Sequence, residues 1–290
     1  DRSWDHDCNY VAMALVRGIP ELAATQLMLN FNHINEDGVL PDAVNPYEMI
    51  WNTTKVPLRG SALRYMFRQN PEVLTPEQER RYYETMSRNV QWWLTGREYA
   101  PCIWHGNEGG CDNATCFDRY PAVQMPYLHA ELALLCEQLS RLASRLGREE
   151  ESRQYAEKSR ELGEQINTYF FDGERLFVRP LDDLTPYYSD CAHLHQAIIA
   201  HEFLNDTTKA AIVRHVRERL LCDYGIVSEP MDSPEYIGGG YESYFRGSVW
   251  WKDQIIFTVA LREMGENELA DEIVKRFRRG VEKAGFAENI

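Results

Sequence analysis

The sequence predicts an all-α protein whose helical hairpins close into a toroid, a ring of antiparallel helix pairs. Apolar residues recur at helical spacing through most of the chain, and the helical segments alternate between short turns and long polar loops. Strand signals are few, and the best lies at residues 175–179, after the Asp172-Gly173 turn. Such a ring collects its long loops at one end, around a central pocket. A stacked α-solenoid is the competing architecture, but no repeat of fixed length supports it.

The individual helices follow from apolar periodicity and from capping residues. Between Val123 and Gly147, leucines recur at spacings of three and four residues and line one face of a helix. The segment 149–171 repeats this pattern, and the two helices form a hairpin. Thr75 is the predicted N-cap of another helix, with Pro76 as its first residue. The predicted helices span residues 5–17, 20–34, 57–69, 76–95, 123–147, 149–171, 192–203, 206–221, 248–264 and 266–284.

Composition narrows the possible functions. The 290 residues include 31 basic and 45 acidic side chains, a net charge of -14, which argues against nucleic acid or an anionic membrane as the main partner. A neutral polar substrate fits better, and we expect a single domain over residues 1–290. No apolar run is long enough to span a bilayer and no signal peptide is visible, so we expect a soluble protein and favour the cytoplasm over secretion.

The cysteines and histidines do not predict a metal site. The seven cysteines are widely spread, odd in number and free of zinc-like spacing. A disulfide among Cys102, Cys111 and Cys116 is one interpretation, and small semi-buried thiols are the other. His193 and His195 do not share a face of the predicted helix, so we expect neither a metal nor a cofactor.

A polar and aromatic loop at residues 104–118 is the best candidate for part of an active site. Between two strongly helical segments it concentrates Trp104, His105 and the acids Glu108, Asp112 and Asp118. Rigid helices fix the ends of such a loop while the loop presents its polar groups. Taken alone, an Asp-Asn pair is also typical of a turn.

Further short motifs accompany this loop in a regular order along the chain. They are Trp4-Asp5, Asp37-Gly38-Val39-Leu40-Pro41, Thr54-Lys55-Val56-Pro57, His105-Gly106-Asn107-Glu108-Gly109-Gly110-Cys111-Asp112-Asn113-Ala114-Thr115, Tyr244-Phe245-Arg246-Gly247-Ser248-Val249-Trp250 and Gly285-Phe286-Ala287-Glu288-Asn289. Together they resemble the motifs of glycoside hydrolase family 63 and its relatives similar to mannosylglycerate hydrolase. Each match alone is weak, but their order over nearly the whole chain is specific.

The resemblance implies an (α/α)6 barrel that hydrolyses an α-linked glucoside or mannoside with inversion. It identifies Asp112 as the general acid and Glu288 as the general base. Inverting glycosidases need one protonated carboxyl group and one carboxylate, roughly 6.5–9.5 Å apart. A general acid needs a raised pKa, which burial of Asp112 against Trp104, Phe117 or another ring would favour.

The motifs also supply candidate residues for binding a small saccharide or glycoside. Tryptophan rings offer flat faces to sugar C–H groups, and polar side chains hydrogen-bond the hydroxyls. The predicted binding residues are Trp4, Asp5, Lys55, Trp104, His105, Asn107, Glu108, Asn113, Asp118, Tyr244, Arg246 and Trp250. Lys55 is equally explained by neutralising nearby acids, and Glu108 by capping a turn. Trp92, Trp93 and Trp251 are expected in the core.

The chain departs from the family pattern in several places. Gly109, Cys111, Phe245 and Ser248 stand where the family usually has serine, a large apolar residue, tryptophan and proline. These differences weaken any transfer of substrate identity. The family pattern also continues where this chain stops at Ile290, so we expect a C-terminally incomplete domain that lacks the last hairpin of the barrel.

Two other functions compete with the glycosidase. A helical-barrel sugar epimerase would use histidines as acid and base, and His6, His105, His193 and His195 are the candidates. A non-catalytic carbohydrate-binding protein would keep the aromatic pocket without the acid pair.

Overall fold

The structure, a computed structural model, describes residues 2–51, 54–106, 110–287 and 289–290. Within these ranges the chain is mostly helical, as predicted. The α-helices are α1 (Asp5–Leu15), α2 (Pro20–Leu27), α3 (Arg59–Gln69), α4 (Pro76–Gly96), α5 (Pro126–Arg145), α6 (Glu149–Thr168), α7 (Ala192–His195), α8 (Asp206–His215), α9 (Trp251–Glu263) and α10 (Asn267–Ala284). The strands are β1 (Ser3–Trp4), β2 (Ala43–Val44), β3 (Met49–Ile50), β4 (Glu98–Tyr99), β5 (Cys102–Gly106), β6 (Ala122–Gln124), β7 (Arg179–Pro180), β8 (Leu221–Cys222) and β9 (Gly225–Ile226).

The described residues form two compact units. Unit 1 comprises the described residues within Asp1–Ile103, Glu108–Gly110 and Glu131–Leu162. Unit 2 comprises the described residues within Trp104–Asn107, Cys111–Ala130 and Gly163–Ile290. The expectation of a single domain stays a prediction.

Short antiparallel sheets connect the helices within each unit. In unit 1, β1 pairs with β2 and β2 with β3, so that Trp4 lies opposite Ala43 and Ala43 opposite Ile50. In unit 2, β5 pairs with β6 and β6 with β7, and Trp104 lies opposite Gln124. The sequence did not predict these strands because each is only two to five residues long, too short for a period of two to be recognised.

Helix α5 forms much of the core. The leucines at positions 128, 132, 135, 139 and 142 are all fully buried, as their periodicity predicted. The first three turns are buried on every face, including the polar side chains of His129 and Glu131. This helix therefore lies in the interior, whereas the sequence pattern indicated one apolar face.

The predicted start of α4 is confirmed. The Thr75 hydroxyl accepts the Gln78 N–H at 3.3 Å, and the Gln78 side-chain oxygen accepts the Thr75 N–H at 2.9 Å. This reciprocal pair satisfies backbone donors that the first turn of a helix leaves free.

Helix α2 is shorter than predicted. It ends at Leu27, and a separate 3-10 turn covers Phe31–His33. The buried Asn30 lies at the break, where its side chain bonds to the Ser3 side chain at 3.1 Å and to the Asp5 side chain at 3.5 Å.

The last predicted helices also differ at their ends. Helix α9 begins at Trp251 and not at residue 248, because Val249 is extended and exchanges backbone hydrogen bonds with Ile290 at 2.8 and 3.0 Å. Helix α7 gives way to a 3-10 segment, Gln196–Phe203, and α8 continues as one π-helical turn, Val216–Leu220.

The predicted excursion near residue 175 is present. Phe171 and Leu176 bridge in antiparallel fashion around the Asp172-Gly173 turn, and Arg179 begins β7. None of the helices in the described ranges is long and apolar enough to cross a membrane.

Candidate active site

The predicted loop begins as strand β5. Trp104 and His105 point to opposite sides of this strand, so Trp104 is half-buried while His105 is fully buried. The His105 ring lies 6.1 Å from the ring of Phe117. Contact of His105 with a sugar stays a prediction. Asn107 and Glu108, also predicted site residues, lie outside the described residues.

In unit 1 the loop meets His6 and Lys55 at Gly110. This glycine has a φ of 101°, a left-handed conformation that side chains with a Cβ rarely adopt. A Cβ at this position would lie 3.3 Å from His6 Nδ1 and 3.4 Å from Lys55 Cδ. The structure therefore brings together two of the sequence motifs and a histidine that directly follows a third.

Two buried acids of unit 1, Asp5 and Asp42, lie against cations. The buried Asp5 carboxylate pairs with Arg59 Nη1 at 2.7 Å, and Lys55 Nζ lies 3.7 Å from the buried Asp42 carboxylate. Trp4, by contrast, is 38% exposed. In this group Trp4 keeps part of its surface exposed, with the Arg2 guanidinium 5.7 Å from its ring centre, whereas Asp5 is engaged by a buried arginine.

Asp112 lies on a turn and is exposed. The expected burial of this acid against Trp104 or Phe117 is wrong. The physical reason is local, because Cys111 and Ala114 on either side of the turn point inward and are 2% exposed. The turn between them directs residue 112 to solvent.

Asn113 connects this turn to the segment 242–246. Its side-chain oxygen accepts the backbone N–H of Phe245 at 2.7 Å, and its side-chain nitrogen donates to the Glu242 carbonyl at 3.0 Å. The predicted hydroxyl ligand is thus used on both ends by backbone groups. Its contribution to the site is to fix the position of a neighbouring segment.

Asp118 and Arg246 form an ion pair. Both are predicted site residues, and their side chains retain 30% and 18% exposure. Glu235 approaches the same guanidinium at 3.3 Å. Burial lowers the pKa of Arg246, but hydrogen bonding and attraction to Asp118 outweigh burial and raise it above its ordinary value. A hydroxyl bound here would meet a fixed donor and a fixed acceptor.

The aromatic residues of the same motif pack on one another. The Trp250 ring stacks on Phe245 at 4.3 Å, and its Nε1 donates to the Tyr244 carbonyl at 2.7 Å. Trp250 is only 4% exposed, so it packs the segment and presents no open face to solvent. Tyr244 is half-buried, with its ring edge against Trp250.

The sequence analysis missed a buried acid, Glu229. Its side chain accepts the Thr115 hydroxyl at 2.8 Å, and Thr115 in turn lies 2.6 Å from Ser189 Oγ. Burial is the strongest influence and raises the pKa of Glu229, although hydrogen bonds from Ser233 and Thr115 oppose it. No periodicity or motif marks Glu229, so only the fold could bring it to the loop.

A cavity of about 630 Å³ opens in unit 2. Its walls include Tyr236, Ser243, Arg276 and Asn289, and Asn289 is the residue after Glu288. A cavity of this size can hold a small sugar. Asp112 is not among the lining residues, but the adjoining Asn113 holds the segment 242–245, which contributes Ser243 to the wall.

The histidines considered for acid–base chemistry are mostly buried. His193 and His195 are 4% and 5% exposed, and burial lowers the pKa of both well below the ordinary value. His195 stacks on His215 at 3.8 Å. Across the described residues, no group of three or more metal-ligating side chains is arranged to hold an ion.

All seven cysteines lie in the described ranges and are free thiols. Cys102, Cys111 and Cys116 are therefore thiols and not part of a loop disulfide in this structure, and they are fully buried where the sequence analysis expected semi-buried thiols. Of the residues expected in the core, Trp93 is 1% exposed, whereas Trp92 and Trp251 are half-buried.

Comparison with known proteins identifies the class of domain. A family model described as the mannosylglycerate hydrolase MGH1-like glycoside hydrolase domain matches residues 1–290. A search of curated proteins found no match.

Solved structures share the fold at low sequence identity. A family 63 mannosylglycerate hydrolase from Thermus thermophilus, in complex with glucose, is 18% identical over 100% of this chain and 87% of its own, with a TM-score of 0.82. Neutral trehalase Nth1 from Saccharomyces cerevisiae is 13% identical over 98% of this chain and 67% of its own, with a TM-score of 0.81. At these identities the likeness establishes the fold alone.

Proposed function

Because the chain belongs to the mannosylglycerate hydrolase MGH1-like glycoside hydrolase family, we propose that it hydrolyses a small α-linked glucoside or mannoside with inversion. Asp112 is the general acid and Glu288 the general base. The observation that carries this proposal is the turn at Asp112, which exposes one carboxyl group between two anchored residues.

The position of Asp112 suits a proton donor. Its backbone is held on one side by the buried Cys111 and on the other by the two hydrogen bonds of Asn113. An acid fixed in this way loses little conformational freedom on meeting a substrate. Since Asp112 is exposed to solvent, we propose that a bound sugar itself covers the carboxyl group.

Glu288 lies outside the described residues, and its role is proposed from the sequence motif. The next two residues support a defined location for the motif. Asn289 bridges to Trp250, and Ile290 exchanges backbone hydrogen bonds with Val249. The end of the motif is thus attached to the segment that carries Arg246 and Trp250. We propose that the carboxyl groups of Asp112 and Glu288 are roughly 6.5–9.5 Å apart, with the attacking water between base and sugar.

For the arrangement of the helices we propose the (α/α)6 barrel of the family. The described helices and the likeness to a mannosylglycerate hydrolase and a trehalase support it. The Thermus thermophilus relative has been solved with glucose and, separately, with Tris and D-glycerate. These ligands make glucosides and mannosides of glycerate the first substrates to test.

No observation favours the epimerase. Three of its four candidate histidines, His105, His193 and His195, are at most 5% exposed, and only His6 is half-buried. An epimerase needs an acid and a base that both reach the sugar.

The direct test is hydrolysis monitored by proton NMR, which identifies the anomer released first. The substrates are α-glucosides and α-mannosides, including those of glycerate, and trehalose. We expect the β-anomer to be released, and Asp112→Asn and Glu288→Gln each to lose activity by at least about 100-fold. Asp206→Asn, at a fully exposed acid on α8, is the matched control. Release of the α-anomer contradicts inversion, and full activity in either site variant contradicts that assignment.

A further inference from the structure

A closed ring of side-chain contacts lies directly behind Asp112, in unit 2. Lys252 Nζ lies 3.4 Å from Cys111 Sγ and 3.2 Å from Asp253 Oδ1. Gln196 Nε2 donates to the same Asp253 oxygen. His193 Nδ1 lies 3.2 Å from Gln196 Oε1 and 3.1 Å from Cys111 Sγ, which completes the ring. Every member is at most 6% exposed.

The Asp253 carboxylate determines which atoms of this ring donate hydrogen bonds and which accept them. Asp253 pairs with the Lys252 ammonium and, as a carboxylate, can only accept. Gln196 must therefore turn its nitrogen to Asp253 and its oxygen to His193. His193 then carries its proton on Nδ1. Burial lowers the pKa of His193 well below its ordinary value, so the His193 side chain is a neutral imidazole.

Cys111 is an acceptor in this arrangement. Burial raises the pKa of its thiol to about 12, although Lys252 opposes that shift. At neutral pH the sulfur therefore keeps its own proton and receives the Lys252 N–H. The Lys252 ammonium also lies 5.0 Å from the centre of the Phe245 ring, which stacks on Trp250.

Cys111 directly precedes Asp112 in the chain, so the ring contacts hold the N-terminal side of the turn that carries the acid in place. Asn113 holds the C-terminal side of the turn through its hydrogen bonds to the Phe245 and Glu242 backbone. Lys252 contributes to both, because it holds Cys111 and lies over Phe245. A mobile Cys111 would leave the exposed Asp112 anchored from one side only.

We propose that the buried ring of Cys111, His193, Gln196, Asp253 and Lys252 positions Asp112 for proton donation, with Lys252 acting through the Cys111 sulfur. These are positioning residues and do not touch the substrate. This proposal rests on the proposed function of Asp112. Of the five ring residues only Cys111 belongs to a sequence motif, and His193, Gln196, Lys252 and Asp253 lie outside the motifs.

The test compares two replacements of Cys111. Cys111→Val fills the space but offers no acceptor, whereas Cys111→Ser keeps an acceptor for Lys252. We expect Cys111→Val to lower kcat by about 10- to 100-fold with KM within about twofold, because misplacement of a catalytic group costs rate more than binding. Cys111→Ser should restore most of kcat. A site that only needs apolar volume would show the opposite order.

A double variant tests the contribution of Lys252 and Asp253, the two charged residues of the ring. Lys252→Met alone would leave the Asp253 charge buried without its cation and risks unfolding, so Lys252→Met is combined with Asp253→Leu. We expect the double variant to reproduce the loss of kcat seen in Cys111→Val. Unchanged kcat in a folded double variant would overturn the role of Lys252.

Hydrogen–deuterium exchange separates this inference from the proposed function. We expect the segment 110–118 to exchange faster in Cys111→Val and in the double variant than in the wild type and Cys111→Ser. This readout needs no substrate, so it decides on the ring even if the wild type hydrolyses none of the glycosides. Equal exchange in all four proteins would overturn the proposal, whereas full activity in Asp112→Asn would refute the proposed function instead.

Discussion

The side-chain oxygen of Asn113 accepts the backbone N–H of Phe245 at 2.7 Å. With the second bond, from its nitrogen to the Glu242 carbonyl, this residue links the turn of the proposed acid to the segment that carries Tyr244 and Arg246. Two hydrogen bonds therefore form a framework that joins the Asp112 turn to the distant segment 242–246.

Asn113→Ala should weaken that framework. It removes the partner of the part-buried Phe245 N–H and of the exposed Glu242 carbonyl, to which water has access, so we expect a cost of about 1 kcal/mol in the free energy of unfolding. We also expect kcat to fall by about 10-fold, because the turn loses one of its anchors. Urea denaturation and steady-state kinetics measure the two effects. Asn205→Ala, which removes the N-cap bond to Thr208, is the control, since it should lower stability and leave kcat unchanged.

The ion pair of Asp5 and Arg59 should be costly to break from one side. Arg59 is 1% exposed, so Asp5→Ala leaves a cation buried without its carboxylate. We expect the free energy of unfolding to fall by about 3–5 kcal/mol. Replacing both charges, as in Asp5→Leu with Arg59→Met, should cost less, because no unpaired charge remains. A double variant less stable than Asp5→Ala would contradict this account.

The close approach of Gly60 in α3 to α5 predicts intolerance of any side chain. A Cβ at Gly60 would lie 2.3 Å from the backbone nitrogen of Leu135. Gly60→Ala must therefore push the helices apart, and we expect a loss of about 1–3 kcal/mol of stability. Gly18→Ala is the matched control, because no described atom lies within 4 Å of the position that its Cβ would take. The control should change stability by less than about 0.5 kcal/mol, and both are measured by thermal denaturation.

His129 predicts a specific dependence of stability on pH. Burial in α5 lowers its pKa from 6.5 to about 4, although a hydrogen bond to the Met125 carbonyl opposes the shift. Between these two values the unfolded chain binds a proton that the folded chain does not. Stability is therefore highest above pH 6.5 and falls as the pH drops toward 4, by about 3 kcal/mol from this residue.

The contribution of His129 is isolated by difference. His193 and His195 are also buried with lowered pKa values, so the wild type alone reports a sum. Urea denaturation of the wild type and of His129→Leu at pH 7 and pH 4.5 should give a smaller loss of stability in the variant. Parallel losses in the two proteins would show that His129 titrates normally.

The sequence predicted the helical class well because long helices carry many independent signals. The leucines of α5 and the Thr75 cap of α4 each specify local structure, and both predictions are confirmed. Where a helix end depends on a distant partner, the prediction was wrong. Val249 is extended because Ile290 pairs with it, and no local pattern at residues 248–250 indicates that pairing.

In the candidate site, too, the sequence predicted local features and missed those that depend on distant residues. The motifs identified residues that do meet, such as Asp118 with Arg246, but not what each side chain binds. Asn113 looked like a hydroxyl ligand because its type fits one, yet the fold uses its amide for backbone groups. Glu229, Lys252 and Asp253 were missed because burial of a charged side chain leaves no mark in composition or spacing.

The free thiols make the chain a reporter of its own unfolding. Six of the seven cysteines are buried, and Cys222 is partly exposed. Burial also raises the pKa of Cys111, Cys116 and Cys136, so these thiols are shielded from reagents both sterically and by their lack of charge. A thiol reagent should therefore label the native protein slowly and mainly at Cys222. Each further label would mark the opening of a particular part of the core, from Cys8 in α1 to Cys191 before α7.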